Sequence, residues 1–253
     1  MVVSSADVVW HDLECGSYRA DLPLWRELAE RCGDPILDVG CGTGRVALDL
    51  AAAGHCVTAL DLDPDLLGAL RDRSDELSVE TVCADARSFA LSRRDFALCL
   101  LPMQTLQLLD DATERAAFLR CARAHLRPGG LLACAIVTEL DPFDAADGSP
   151  GPTPEASSVG ETLYISQATS VRVLPRRVVI GRSRRSISAD ARDRDDGGYA
   201  DRPAVERNVI ELARVSVAEL EREGLEAGFR PEPALVIEPT DEHVGSLVVM
   251  LRA

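Results

Sequence analysis

The sequence predicts an α/β fold: a sheet of seven mostly parallel strands with helices on both faces, and an antiparallel β insertion after the fifth strand. Three observations predict it. Between Pro35 and Val137, short apolar runs alternate with longer stretches of helical periodicity, the pattern of successive strand–helix units. The run Phe96 to Leu101 is apolar throughout, as a strand covered on both faces must be. From Asp141 to Pro203 that rhythm breaks into a Pro/Gly/Ser/Asp stretch followed by β-like segments.

The first strand is Ile36 to Val39 and ends in glycines. A helix from about Arg45 to Ala53 follows, closed by Gly54, a residue that accepts the left-handed conformation. His55 to Leu60 reads as the second strand. Pro64 suits the first turn of the next helix, whose Leu66, Leu67 and Leu70 share a face. Val79 to Val82 is the third strand and Phe96 to Leu101 the fourth. Asp111 caps a helix running to Leu126, and Pro128, Gly129 and Gly130 end it before the fifth strand, Leu131 to Val137. In the insertion, Thr162 to Gln167, Ser170 to Leu174, Arg177 to Ile187 and Val209 to Val215 read as strands, with an acidic turn at Asp195, Asp196, Gly197, Gly198. Ser216 with Glu219 forms a capping box for a helix that stops at Gly228, and Ala234 to Ile237 and Leu247 to Leu251 are the last strands. Three regions follow: 1–34, an N-terminal helical cap; 35–140 with 204–253, the sheet domain; and 141–203, a β lid folded over the sheet's carboxyl edge, with a solvent-facing decoration or dimer arm as its alternative.

At 253 residues and 46% hydrophobic, the chain can bury a full core. Its formal net charge of −15 repels a polyanion, which argues against nucleic acid as a partner. No run is apolar enough to span a bilayer and no basic-then-apolar leader opens the chain, so a cytoplasmic protein without membrane contact is expected. The eight cysteines include no CxxC pair and fall mostly in apolar runs, so buried free thiols are expected rather than zinc or disulfides. Arg172, Arg176, Arg177, Arg182, Arg184 and Arg185 concentrate positive charge in the insertion. They read as an exposed strand face balanced by Asp190, Asp193, Asp195 and Asp196, or else as a grip on an anionic substrate group.

The strongest chemical signal is Asp38, Val39, Gly40, Cys41, Gly42, Thr43, Gly44 at a strand-to-helix junction. Glycines there let the backbone turn tightly and approach a ligand, and free N–H groups of the next helix face the same space. Asp38 adds a carboxylate suited to a positive centre, which a pyrophosphate would not tolerate. The spacing is GxGxG after an acid, so the third glycine is one position early for the dinucleotide fingerprint GxGxxG. Asp61 stands at the end of the second strand, where a carboxylate can accept both hydroxyls of a ribose, and Asp85 just past the third, placed to accept from an adenine amino group. Each acid has a plainer alternative: Asp61 or Asp63 capping the helix at Pro64, and Asp85 capping the turn after it.

The ordered series ILDVGCGTGRVALDLA, VTALDLDP, VCADA, FALCLLP and LRPGG resembles the motifs of class I S-adenosylmethionine-dependent methyltransferases, over roughly Pro35 to Val137 and the final strands. The resemblance implies a Rossmann-like fold and S-adenosylmethionine as cofactor. It implies that Gly40, Gly42 and Gly44 line the methionine and ribose portion, Asp38 lies near the ammonium group, and Asp61 holds the ribose hydroxyls. Leu62 would pack on the adenine face, Asp85 and the Ala86 backbone would read the adenine edge, and the Leu101 carbonyl would face the methionine group. HDLECGSYRADLPLW, LPMQTLQLL and the insertion are similar to small-molecule methyltransferases, including sugar N-methyltransferases and natural-product tailoring enzymes. That likeness has Tyr18 closing over the cofactor, with a hydrophobic anchor for the N-terminal helix as the alternative.

Two departures narrow the chemistry. Leu101, Pro102, Met103, Gln104 lacks the Asn-Pro-Pro-aromatic signature of enzymes that methylate nucleobases, and no carboxylate ends the fourth strand for a catalytic divalent metal. Methyl transfer from a sulfonium is an in-line displacement that positioning can dominate, so the expected reaction moves a methyl group to an N or O atom of a small molecule, without metal. Should a base be used, His11, Tyr18 and His243 are the candidates. A homodimer formed through the lid is a further expectation. The alternatives are a cofactor-binding protein of the same fold catalysing cyclisation or elimination, or a non-enzymatic binding subunit.

Overall fold

A computed structural model describes residues 5–148, 151–189, 205–240 and 243–253. The acidic turn Asp195 to Gly198, together with Asp190, Asp193 and Pro203, lies outside the described residues. The helices are α1 (Ala6–Cys15), α2 (Leu22–Cys32), α3 (Arg45–Ala52), α4 (Pro64–Ser74), α5 (Ala112–His125) and α6 (Val217–Glu226). The strands are β1 (Ile36–Val39), β2 (Val57–Asp61), β3 (Val79–Cys83), β4 (Phe96–Leu101), β5 (Leu126–Ile136), β6 (Phe143–Asp144), β7 (Glu155–Val159), β8 (Thr162–Val173), β9 (Arg177–Ser188), β10 (Val205–Ala213), β11 (Arg230–Ile237) and β12 (Ser246–Arg252). They fall into two compact units, Tyr18–Glu139 with Leu212–Ala253, and Met1–Ser17 with Leu140–Glu211. Among the described residues no helix is long and apolar enough to cross a membrane.

The larger unit is the expected seven-stranded sheet, in the order β11-β12-β5-β4-β1-β2-β3. Strands β1 to β5 pair in parallel, and β12 runs antiparallel to both β5 and β11. Alternation along the strands sends side chains to two apolar layers. Trp25 and Leu28 of α2, Leu50 of α3 and Leu67 and Leu70 of α4 cover one face, while Phe118 and Leu119 of α5 and Leu220 of α6 cover the other. This double cover is why β1 and β4 are buried along their whole length.

The local signals act as the sequence indicates. Asp111 accepts from the Thr113 and Glu114 N–H groups at the start of α5, Ser216 and Glu219 complete their capping box, and Gly54 is left-handed. The shifts in boundary have local causes. β2 starts at Val57, not His55, because the Cys56 N–H and the His55 ring both turn to the Asp34 carboxylate. β5 starts at Leu126 rather than Leu131, since its pairing with β4 carries a register shift between Phe96 and Leu98. There Gly130 passes so close that a Cβ would stand 2.9 Å from the Phe96 carbonyl oxygen.

Described by itself, the smaller unit is an antiparallel sheet, β10-β9-β8-β6, with β7 also on β8. The two strands expected at 162–174 are one, β8, with an irregularity between Ala168 and Ser170. β6 and β7 occupy the stretch that composition marks as loop, and β10 begins at Val205 rather than Val209. Three arginines of the cluster have counterions among the described residues, whereas the acids at 190–196 lie outside them. Glu14 of α1 receives two hydrogen bonds from Arg184, at 2.7 and 2.8 Å, and one from the Ser166 hydroxyl, while Arg182 pairs with Glu155 and Arg177 with Glu211. Burial alone would raise the Glu14 pKa, but Arg184, Ser166 and the charge of Arg182 bring it below the usual carboxylate range. Arg184 also lies over the Trp10 ring, which meets Tyr164 edge-on.

The cysteines are all free, but only Cys41, Cys99 and Cys134 are buried; Cys56 and Cys83 are exposed, against the expectation of buried thiols. Cys56 precedes β2, and Cys83 ends β3, an edge strand of the sheet.

A buried ion pair joins α5 to α6: Arg115 donates to Glu223 at 2.9 and 2.8 Å, with both side chains under a tenth exposed. Removing one partner leaves the other charge uncompensated. Arg115→Ala is expected to cost about 3–5 kcal/mol in urea unfolding, while replacing both by well-packed apolar residues costs far less.

Candidate functional site

In the sheet, β1 lies between β2 and β4, so the chain moves outward in one direction through β2 and β3 and in the other through β4 and β5. The carboxyl ends of β1 and β4 therefore border the crevice where open α/β sheets hold ligands. The glycine loop leaves β1 at this point, with Gly40, Gly42 and Gly44 at φ of 70°, 55° and 91°. Only glycine takes such angles cheaply. Two of the three also answer to the protein's own packing. A Cβ on Gly40 would stand 2.3 Å from the Thr105 methyl, and one on Gly44 2.2 Å from Leu70 Cδ1.

At the end of β2, Asp61 accepts the Gly42 N–H at 2.7 Å and the Asp63 N–H at 3.0 Å, which fixes its carboxylate beside the glycine loop. Asp63, not Asp61, caps α4, through the N–H groups of Asp65 and Leu66. Leu62 follows with 65% of its surface exposed, a large apolar side chain left uncovered at a strand tip. Beyond β3, Asp85 accepts the backbone N–H and the guanidinium of Arg87, which lowers its pKa, and Arg87 also pairs with Glu114. The turn cap that the sequence allowed for Asp85 is thus present, with both carboxylate oxygens engaged by Arg87. Ala86 is half-buried, and Leu101, the last residue of β4, is buried. Two residues on, Met103 has φ 55°, a left-handed conformation that non-glycine residues rarely take.

Asp38 is the outstanding group. Its Cα partners Ala59 and Leu100 belong to the apolar layer under α2 and α3, and Asp38 points the same way. It is 1% exposed, and neither carboxylate oxygen has a hydrogen-bond partner of normal geometry, although the Ala47 backbone N–H lies near enough to lower its pKa. Burial pushes its pKa up to about 7, with Arg45 opposing the shift and Asp61 adding to it.

Arg45 opens α3 directly after the loop. Its guanidinium grips Asp21 at 2.6 and 2.7 Å, donates to the Tyr18 carbonyl at 3.0 Å, and lies 5.2 Å from the Tyr18 ring centroid. Asp21, wholly buried, also accepts the Trp25 indole N–H at 2.8 Å. Tyr18 is anchored from below by Arg45 and meets the His243 ring at 4.7 Å. Burial, with Asp21 adding, raises the Tyr18 pKa, so it remains a phenol at neutral pH. Of the three acid–base candidates, Tyr18 and His243 thus stand together; His11 is half-buried on α1, in the smaller unit. His125 serves structure, accepting the Leu91 N–H and bonding the Cys121 carbonyl.

Residues 36–130 match the family described as a methyltransferase domain. This segment is a methyltransferase domain. The chain is 35% identical over 98 residues to a cypemycin N-terminal methyltransferase from a Streptomyces species, covering 39% of this chain and 40% of the relative. It is 32% identical over 99 residues to a ubiquinone biosynthesis O-methyltransferase of Methylocella silvestris, 38% of this chain and 37% of the relative. It therefore spans about two fifths of the length of these relatives. Among solved structures, CalS10, an amino pentose methyltransferase from Micromonospora echinaspora with S-adenosylmethionine bound, superposes with a TM-score of 0.67 over 100% of this chain and 98% of that one, at 18% identity. The described residues share that fold.

Within the methyltransferase domain, sequence reasoning missed Gln107, and just outside it Asp21; Arg45 was placed in a helix without a role. The only hint was spacing: Asp21 stands four residues before Trp25, and Arg45 immediately follows Gly44. For Asp38 the physics gives a direct test. Its native pKa of about 7 lies above the unfolded value near 3.9, so the native state holds a proton that the unfolded state has released between those values. Stability therefore falls as pH rises through that window. Asp38→Asn is expected to abolish this slope and to be more stable than the wild type above about pH 8 by roughly 4 kcal/mol, read by urea denaturation across pH.

Proposed function

We propose that this chain is an S-adenosylmethionine-dependent methyltransferase that methylates an amine nitrogen of a small molecule, with amino sugars of natural products as the first substrate class to examine. The observation that carries the reading is the partnerless carboxylate of Asp38 beneath the glycine loop. A folded protein keeps such a group where a ligand supplies the counter-charge, and the ammonium of a bound methionine moiety would supply it.

The remaining residues fit around that contact. Gly40, Gly42 and Gly44 offer backbone under the ligand, and Asp61, held by two backbone N–H groups, has lone pairs left for the two ribose hydroxyls. Leu62 gives an exposed apolar face for adenine, Asp85 and the Ala86 backbone its polar edge, and the Leu101 carbonyl faces the methionine end. The cofactor supplies an electrophilic methyl group on a good leaving group. The protein's part is then to place the acceptor in line and exclude water. Tyr18, protonated, acts as wall and hydrogen-bond donor, and His243 beside it takes the proton an amine releases. His11 remains an acceptor-side candidate. Nitrogen is favoured over oxygen by the likeness to an N-terminal and an amino pentose methyltransferase, and by a net charge of −15, which draws cationic amines.

Calorimetric titration of the wild type with S-adenosylmethionine and S-adenosylhomocysteine should show binding of both; absence of both ends the proposal. Asp38→Asn is expected to weaken S-adenosylhomocysteine about 10- to 100-fold, the worth of a hydrogen bond to a charged group, while raising stability at alkaline pH. With a panel of amino sugars, mass spectrometry should show one added methyl group and release of S-adenosylhomocysteine. His243→Ala should then lower kcat while leaving S-adenosylhomocysteine affinity within about threefold, as expected of a group that acts on the acceptor's proton.

A further inference from the structure

The turn after β4, Thr105–Leu108, touches two distant parts of the larger unit. On one side the Thr105 methyl lies where a Gly40 side chain would be, and the Thr105 hydroxyl donates to the Pro102 carbonyl at 2.9 Å. On the other side stands Gln107, 3% exposed, a polar side chain with no solvent to satisfy it. Its Nε2 donates to the carbonyls of Val137 and Ala213, both at 3.0 Å, and its Oε1 accepts the Val137 N–H at 2.8 Å. Toward Val137 it acts as one more strand residue would, prolonging the pairing just past the end of β5. The remaining hydrogen reaches Ala213, the last residue of β10.

These two partners have a particular place in the chain. The smaller unit takes in residues 140–211. Val137 comes just before that segment departs from the sheet domain, and Ala213 just after it returns. One amide therefore binds both crossings, and a single short turn connects it to the first glycine of the ligand loop. Close packing at Gly40 leaves Thr105 no room to stay still if the loop moves.

We propose that Gln107 is a positioning residue that couples occupancy of the glycine loop to the order of the two chain crossings, so that cofactor binding tightens the segments leading into and out of the insertion. The inference rests on the functional reading above for the identity of the ligand. A leucine here leaves three polar groups unpaired, and a glutamate keeps the acceptor for the Val137 N–H while losing both donors. Protonation restores one donor to the glutamate.

The test is amide hydrogen exchange at residues 137–148 and 205–213, with and without S-adenosylhomocysteine, in full-length wild type, Gln107→Leu and Gln107→Glu. In the wild type the ligand should slow exchange in both segments about tenfold, within the usual range of coupling between sites. Gln107→Leu should bind the ligand and lose that response. In Gln107→Glu, at saturating ligand, the response should be absent at about pH 9 and return by about pH 6, across the range to which burial lifts a glutamic acid, while saturated wild type responds at both pH values. A residue needed only for packing gives no such pH-dependent return. Ligand binding without any change at the crossings in the wild type, or a full response in Gln107→Leu, overturns the inference alone. Failure of the wild type to bind the ligand at all overturns the functional reading and the inference together.

Discussion

A carboxylate sealed beneath a glycine loop without a donor is the constraint around which the methyltransferase domain is arranged. Asp38 occupies a position that the sheet's alternation would give to an apolar residue, between Ala59 and Leu100 on the layer under α2 and α3. Its relief comes from the charge of Arg45 and, more weakly, from the Ala47 backbone N–H, and Asp61 counters part of that. A site chosen for stability alone would hold a valine there. An acid there, unsatisfied, fits the ligand contact proposed for it better than any role in folding.

The loop above it is shaped from both sides. Gly40 and Gly44 are required because Thr105 and Leu70 already fill the space a Cβ would take, and Gly42 because its N–H must reach Asp61 at a positive φ. The three glycines therefore have different physical reasons, and only part of their requirement concerns a ligand. By fixing Asp61 through Gly42, the loop also ties the tip of β2 to the end of β1, so the Asp61 carboxylate is oriented before any ligand arrives. Such preorganisation lowers the ordering cost of binding.

The fold was largely legible because its signals are local or periodic. Strands buried on both faces show as unbroken apolar runs, and Asp111, Ser216 with Glu219, and Gly54 mark helix ends by chemistry that acts over a few residues. What escaped depends on contacts between distant positions. Nothing in the sequence near Glu14 indicates that it pairs with Arg184, which lies 170 residues later. Cys56 and Cys83 sit in strand-like runs, yet whether such a residue is covered depends on where its strand falls in the sheet. At the site, the acids and glycines were visible as a motif, whereas Asp21, Arg45 and Gln107 owe their roles to partners brought together only by folding.

Asp21 and Asp38 show how one cation can serve two acids unequally. Both are buried against the same layer, and Arg45 is close enough to influence both. Its fork, however, can be bidentate to only one carboxylate, and Asp21 has it, with the Trp25 indole completing the set. Were Arg45 turned to Asp38 instead, the glycine loop would be more stable and its carboxylate already satisfied, leaving nothing to attract a cationic group. Locking Arg45 onto Asp21 keeps Tyr18 in place over the guanidinium and leaves Asp38 without a direct ion-pair partner. The same pairing that holds the start of α2 to the loop thereby preserves the unmet carboxylate on which the proposed recognition depends.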